Sequence, residues 1–209
     1  MAANTSDNDL ERARRSPHGR SNRAARALWG IVQATLFGCS PRPLHGWRNW
    51  LLRRFGATLH PTARVYPRAR IWAPWNLTLD AYATIADHVE VYCVAPVRLG
   101  VGTTVSQFSH LCAATHDHED PAFPLVPMPI SVGSRCWIAS DVFIGPGVTI
   151  GDGTVVGVRS TVLADLPAWS VCVGTPARPI RPRVLRATDG APPPSVARGS
   201  SRAEAERPT

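Results

Sequence analysis

A strict period of six residues runs through the middle of this 209-residue chain. Val132, Ile138, Ile144, Ile150, Val156 and Val162 follow one another at that interval without a miss. The residue after each of the first five is small (Gly133, Ala139, Gly145, Gly151, Gly157), and the fourth after each has a modest side chain (Cys136, Val142, Val148, Thr154, Ser160). Upstream the period persists with two slips of two residues: Leu59, Val65, Ile71 and Leu77, then Leu79, Ile85, Val91 and Val97, then Leu99, Val105 and Leu111. An amphipathic helix repeats every 3.6 residues and cannot hold this period. Six residues make a short strand and a corner. Three such sides close a coil of about 18 residues whose aliphatics point inward and stack about 4.8 Å apart. Glycine suits the corners because it accepts positive φ. The spacing predicts an all-β, parallel β-helix from about Leu59 to about Val173. It does not set the handedness.

The flanks read differently. Residues 1–22 are polar and Arg-rich, without the apolar stretch of a secretory signal, and are expected to be disordered. Residues 23–58 carry apolar side chains near helical spacing: Ala27, Leu28, Ile31, Val32 and Phe37, then Trp47, Trp50, Leu51, Leu52 and Phe55. Two short helices are expected, ended by Gly38 with Pro41 and by Gly56. Their apolar faces need cover, from one end of the β-helix, a neighbouring subunit or a membrane interface. The β-helix domain is expected to end near residue 183, with a second disordered tail at 184–209. No run of about 18 apolar residues predicts a spanning helix.

All 23 basic residues are Arg, and they concentrate in the flanks. Residues 1–58 hold 10 Arg against 3 acids, whereas residues 59–180 hold 7 against 9. A nucleic-acid partner wants a basic face on the folded body, so none is expected. Five scattered cysteines (39, 93, 112, 136, 172), without a C-x-x-C pair, read as reduced side chains in a cytoplasmic protein.

The repeat breaks once at length, between Leu111 and Val132, so that residues 112–131 fit no coil. Loops ejected from a regular scaffold commonly carry function. This one carries His116, Asp117, His118, Glu119 and Asp120, then Pro121, Pro124, Pro127 and Pro129. An imidazole, with an ordinary pKa of about 6.5, suits proton transfer at neutral pH. His110, His116 and His118 could also gather as metal ligands.

The segments Val132–Ile150 and 151–183, ending in D-L-P-x-W…G-T-P-A-R-P-I, resemble the hexapeptide-repeat acyltransferases. Residues 40–57, 70–80 and 115–125 are most similar to the colanic acid biosynthesis acetyltransferase branch. The resemblance spans about 160 residues. It implies a left-handed β-helix, a homotrimer, and acetyl-CoA as co-substrate bound between neighbouring solenoids, with no metal. It implies His116, in A-A-T-H-D, as the general base. It places acetyl-CoA near Trp137, Ser140, Val158, Ala164, Arg178 and Arg181. Val158 and Ala164 depart from the Ala and Lys usual there, leaving Arg159 or Arg181 to replace a phosphate contact. Trp137 could instead cover a coil edge, and Arg178 could cap the solenoid. Galactoside- and maltose-type relatives carry an acid before the catalytic loop. Residues 92–96 lack one, which leaves Asp87, Glu90 and Asp117 as acceptor candidates.

The expected function is O-acetyl transfer from acetyl-CoA to a sugar hydroxyl in exopolysaccharide or related glycan assembly. A lipid-linked sugar at the inner face of a membrane would account for the basic, Trp-rich segment 23–58. The alternatives are a metal-dependent hydratase of the gamma-carbonic-anhydrase type, although its H-x4-H pair is missing, and a non-catalytic scaffold.

Overall fold

The computed structural model describes residues 19–185; the tails expected at 1–22 and 184–209 lie almost wholly outside them. The body is a three-sided parallel β-helix. Its first face stacks Leu59, Leu79, Leu99, Val132 and Ile150, extended by a bridge to Leu166. The second stacks Val65, Ile85, Val105, Ile138, Val156 and Cys172. The third stacks Ile71, Val91, Leu111, Ile144 and Val162. These inward side chains are buried and form one core. Burying each contributes about 1.5–3 kcal/mol, so the ladder is the main source of cohesion.

The two phase slips have a structural cause. In the first two coils the corner from third to first face holds two extra residues, so successive coils are 20 residues apart. Leu77 and Leu79 then both point inward on the same strand, Leu77–Leu79, with Thr78 between them partly exposed. Val97 and Leu99 repeat this, and so do Ile130 and Val132. The long break leaves from that same corner of the third coil. It is shorter than residues 112–131, because Cys112 pairs with Tyr92, and Ile130 and Ser131 pair with Val97 and Arg98. Nor is it irregular: Ala114–His116 and Leu125–Pro127 form an antiparallel hairpin.

The N-terminal segment covers the open edge of the first coil. Helix α1 runs Arg20–Val32, starting before residue 23, and continues into a π-helical turn Gln33–Phe37; helix α2 runs His45–Arg54. Trp29, Phe37, Leu51 and Leu52 join the core. Their neighbours satisfy the exposed strand edges on all three faces. Arg53 donates to the Leu59 carbonyl, Asn49 to Ala63 and Arg48 to Val65. Trp29 donates to Ile71, whose N–H is taken by Gln33 Oε1. An uncovered parallel edge would template pairing with another chain, and these helices remove it. The solenoid end therefore supplies the cover for one helical face. Leu28, Ile31, Leu36, Leu44, Trp47 and Trp50 stay exposed on the other. No described helix is long and apolar enough to cross a membrane.

Candidate active site

His116 ends the outgoing strand of the hairpin, opposite Leu125. Phe123 folds back at φ 46° and stacks on the imidazole, with ring centroids 4.4 Å apart and planes within 8°. The Phe123 carbonyl lies 2.8 Å from Nδ1. A carbonyl can only accept, so Nδ1 carries the proton and Nε2 is left with its lone pair. The hairpin thus sets both the tautomer and the plane of an exposed imidazole. Asp117 and Asp120 are used locally, their carboxylates accepting from the N–H of Glu119 and Ala122 to shape the tip. Asp117 is exposed, with Oδ1 engaged in this turn.

A second set of residues lines the corner between the second and third faces. There the chain turns through His88, Phe108, Asp141 and Arg159, all at positive φ and each third after an inward aliphatic. Side chains flanking these corners form two clefts that meet at Gln107 and Phe108. One, of about 520 Å³, contains Arg42, Tyr66, Arg68, Asp87 and His88. The other, of about 660 Å³, contains Ser140, Asp141, Val158 and Arg159. The imidazole of His88 stacks on Phe108 at 5.0 Å. This edge brings together three of the sequence candidates: Asp87 at one end, Ser140 and Val158 at the other. Trp137 stands beside it on the second face, half exposed, donating to Ser106 Oγ at 3.0 Å. His116 leaves the solenoid at a different corner and does not line either cleft.

The remaining candidates disperse. Ala164 is exposed at the third-to-first corner, away from Ser140 and Val158. Arg178 and Arg181 lie on the closing strand Ala177–Pro182, each donating to the carbonyl of a residue beside it. Arg159 pairs with Asp141 at 3.1 Å. Glu90 sits outward on the third face, in register with Arg70 and His110. In the acid-free run 92–96, Asn76 Nδ2 holds the Cys93 and Val94 carbonyls. Burial pushes the Cys93 thiol up to about 11, an inert state. All five cysteines are free, and Cys39 is exposed rather than packed. Among the described residues no three His, Cys, Asp or Glu converge to hold a metal. His110 packs edge-on against Phe143 instead of joining His116 and His118.

Sequence reasoning missed Arg42, Tyr66, Arg68, His88 and Phe108. The signal available was the position three residues after each second-face aliphatic, which yields Arg68, His88, Phe108, Asp141 and Arg159 in turn. Nothing in the spacing foretold that Arg42 would join them.

No protein-family model matches the sequence. Among curated proteins, the chain is 48% identical over 157 residues to the Escherichia coli K12 protein named Putative colanic acid biosynthesis acetyltransferase WcaF, covering 75% of this chain and 86% of that one. It is 35% identical over 129 residues to the galactoside O-acetyltransferase of E. coli K12, of which it spans 55%. Among solved structures, a Vibrio cholerae hexapeptide-repeat acetyltransferase complexed with acetyl-CoA superposes with a TM-score of 0.72 at 24% identity, covering 85% of this chain and 99% of that one. A galactoside acetyltransferase in complex with coenzyme A gives 0.67 at 26% identity, covering 80% and 84%. Identity of nearly one half across three quarters of the sequence, on the same coil architecture, is a family relationship: the chain belongs to the hexapeptide-repeat acetyltransferases, in the branch of the colanic acid biosynthesis acetyltransferase WcaF.

Proposed function

We propose that this protein moves an acetyl group from acetyl-CoA to a sugar hydroxyl during exopolysaccharide assembly, with His116 as general base. The observation that carries the reading is the Nδ1–H to Phe123 carbonyl bond, which leaves Nε2 as the basic atom on a fixed, exposed ring. Nε2 takes the hydroxyl proton as the sugar oxygen attacks the thioester carbonyl. Backbone N–H groups hold the tetrahedral oxyanion. Its collapse breaks the C–S bond, and the CoA thiolate leaves with the proton from the imidazolium. No acyl-enzyme forms, since the ring contacts a carbonyl and Phe123 rather than a serine or thiol.

The acetyl donor follows from the family, whose solved members were captured with acetyl-CoA or CoA. The cleft edge of one chain and the hairpin of another complete the site in a homotrimer; the hairpin's departure from a different corner supports that division. Ser140, Val158 and Trp137 then face the donor. The exposed Trp47 and Trp50 and the Arg-rich flank support contact with an anionic membrane surface. Flotation with phosphatidylglycerol vesicles that carried Trp47→Ala/Trp50→Ala as efficiently as wild type would remove that contact.

Thiol release from acetyl-CoA with a panel of sugar acceptors tests the chemistry. His116→Ala is expected to lose about 10²–10⁴-fold in kcat with unchanged thermal stability. Full turnover in that variant would refute the mechanism.

A further inference from the structure

The corner between the first and second faces lies apart from both the hairpin and the donor-side edge. The chain turns there through Tyr82, Gly102, Arg135, Gly153 and Trp169, all at positive φ and each third after a first-face aliphatic. Backbone bonds stack these corners: the Arg135 N–H donates to the Val101 carbonyl, Gly153 to Ser134 and Trp169 to Asp152. Along the column, large side chains therefore alternate with none. A Cβ at Gly153 would lie 2.6 Å from the Trp169 ring, so the missing side chain makes the seat of that indole. A Cβ at Gly102 would meet nothing within 4 Å, so the corner beside Arg135 stands open. Between these corners and the second face is a cleft of about 520 Å³, lined in part by Thr104, Trp137, Trp169, Arg135 and Arg183.

Arg183 closes the column. Its Nη1 donates to the carbonyls of Arg135 and Gly153, at 2.7 and 2.8 Å, and its backbone N–H donates to the Trp169 carbonyl. The guanidinium is thereby fixed, while its Nε–Nη2 edge has no partner among the described residues. Arg135 is exposed, and its side chain makes no bond or ion pair among them. No acid lines the cleft. Both indoles are partly exposed. From the coil of Gly102 to that of Trp169 is three strand spacings, roughly 14 Å, which suits an elongated ligand.

We infer that Arg135, Trp169 and Arg183 form a second carbohydrate-binding site, which takes an acidic oligosaccharide with carboxylate-bearing sugars. Its glycan context rests on the acetyl-transfer reading; its binding chemistry does not. A guanidinium edge matches a carboxylate through two parallel bonds. An indole offers a flat apolar surface to the C–H face of a sugar ring, and the Thr104 hydroxyl can bond a sugar hydroxyl. The corner N–H groups are spent on stacking the coils, so no backbone cradle remains for a diphosphate. In the proposed trimer the second-to-third corner meets a neighbour's hairpin, and the first-to-second corner is the one left facing outward. The site thus holds glycan on the enzyme without occupying the place where acetyl transfer occurs.

Calorimetric titration of the full chain at physiological salt with trigalacturonate, maltotriose and adenosine diphosphate reads the site without turnover. Trigalacturonate is expected to bind at least tenfold tighter than either of the others. Arg135→Gln and Trp169→Ala should each weaken it at least tenfold. Trp169 also covers Gly153, so Arg135→Gln, whose side chain holds nothing in place, decides the matter if Trp169→Ala lowers the melting temperature. Arg135→Gln should keep the wild-type melting temperature and the wild-type rate of thiol release. Unchanged trigalacturonate binding in Arg135→Gln, or no binding by wild type, overturns the inference. Equal binding of maltotriose overturns the acidic-sugar assignment, and tighter binding of adenosine diphosphate identifies a nucleotide site instead. Failure of thiol release with every acceptor, while trigalacturonate binding persists, counts against the acetyl-transfer reading alone.

Discussion

Arg48 shows how one side chain can organise a site it does not touch. Its guanidinium is fully buried without a carboxylate partner in contact, and burial lowers its pKa. The charge is accommodated by carbonyl oxygens and Ser40 Oγ rather than by a salt bridge. Arg48→Leu would remove the donor from three carbonyls, strand the buried one of Val65 and release the loop at Pro41 and Arg42. It is expected to cost about 3 kcal/mol, a fall of roughly 6–12 °C in melting temperature. Differential scanning calorimetry would show it, and an unchanged midpoint would mean water replaces the guanidinium freely.

His45 lies beside it, its Nδ1 3.0 Å from the Val65 carbonyl. Burial, then the charges of Arg48, Arg64 and Arg42, depress its pKa below the ordinary 6.5, while the Val65 bond opposes them. Between the depressed value and 6.5 the unfolded chain binds a proton that the folded chain does not. Stability therefore rises with pH through that window and is lost on acidification below about 6.5. Melting temperatures of wild type and His45→Gln from pH 7.5 to 5.5 should converge as the pH falls. Parallel curves would exonerate His45.

At the scale of elements, the hairpin and the solenoid are separable. The first two coils turn the third-to-first corner without any excursion, and the third coil resumes the same register when Ile130 pairs with Val97. The coils therefore need no contribution from residues 114–128 to stack. Replacing that stretch with the corner residues 94–95 is expected to keep the β-sheet circular dichroism and a melting temperature within a few degrees, with acetyl transfer abolished. Collapse of the fold would show that the hairpin is structural. By contrast, Ile138→Ala opens a cavity in the ladder itself and should cost about 2–5 kcal/mol.

The legibility of these elements in the sequence follows the same division. The inward ladder was readable because one aliphatic per side recurs at a fixed period. The slips of two residues were visible but unexplained, since spacing alone cannot show that Leu77 and Leu79 point inward together on one strand. The loop that carries His116 was readable because the ladder breaks there, and His116 stood out from His118 through the resemblance of A-A-T-H-D. Its tautomer was not, for that depends on Phe123 turning back through positive φ to present its carbonyl.

For the whole molecule, the proposed site, with His116 and the cleft edge on different chains, makes activity depend on assembly. Sedimentation equilibrium is expected to give three times the 22.6 kDa chain mass. Mixing His116→Ala with Ser140→Trp subunits should restore part of the activity absent from each alone, because some interfaces then pair an intact hairpin with an intact cleft. An active monomer would overturn the shared site.

The sequence by itself determined the repeating body, its approximate limits and the loop that leaves it, because these are written in local periods and in their interruption. The tertiary structure decided which corners line up, how the helices close the first coil, and which charges meet. Arg42 and Asp87 lie 45 residues apart, and their 3.2 Å contact depends on a buried guanidinium holding a loop over a corner two coils wide. Such contacts follow from how faces stack and caps dock, and a one-dimensional period carries no record of them.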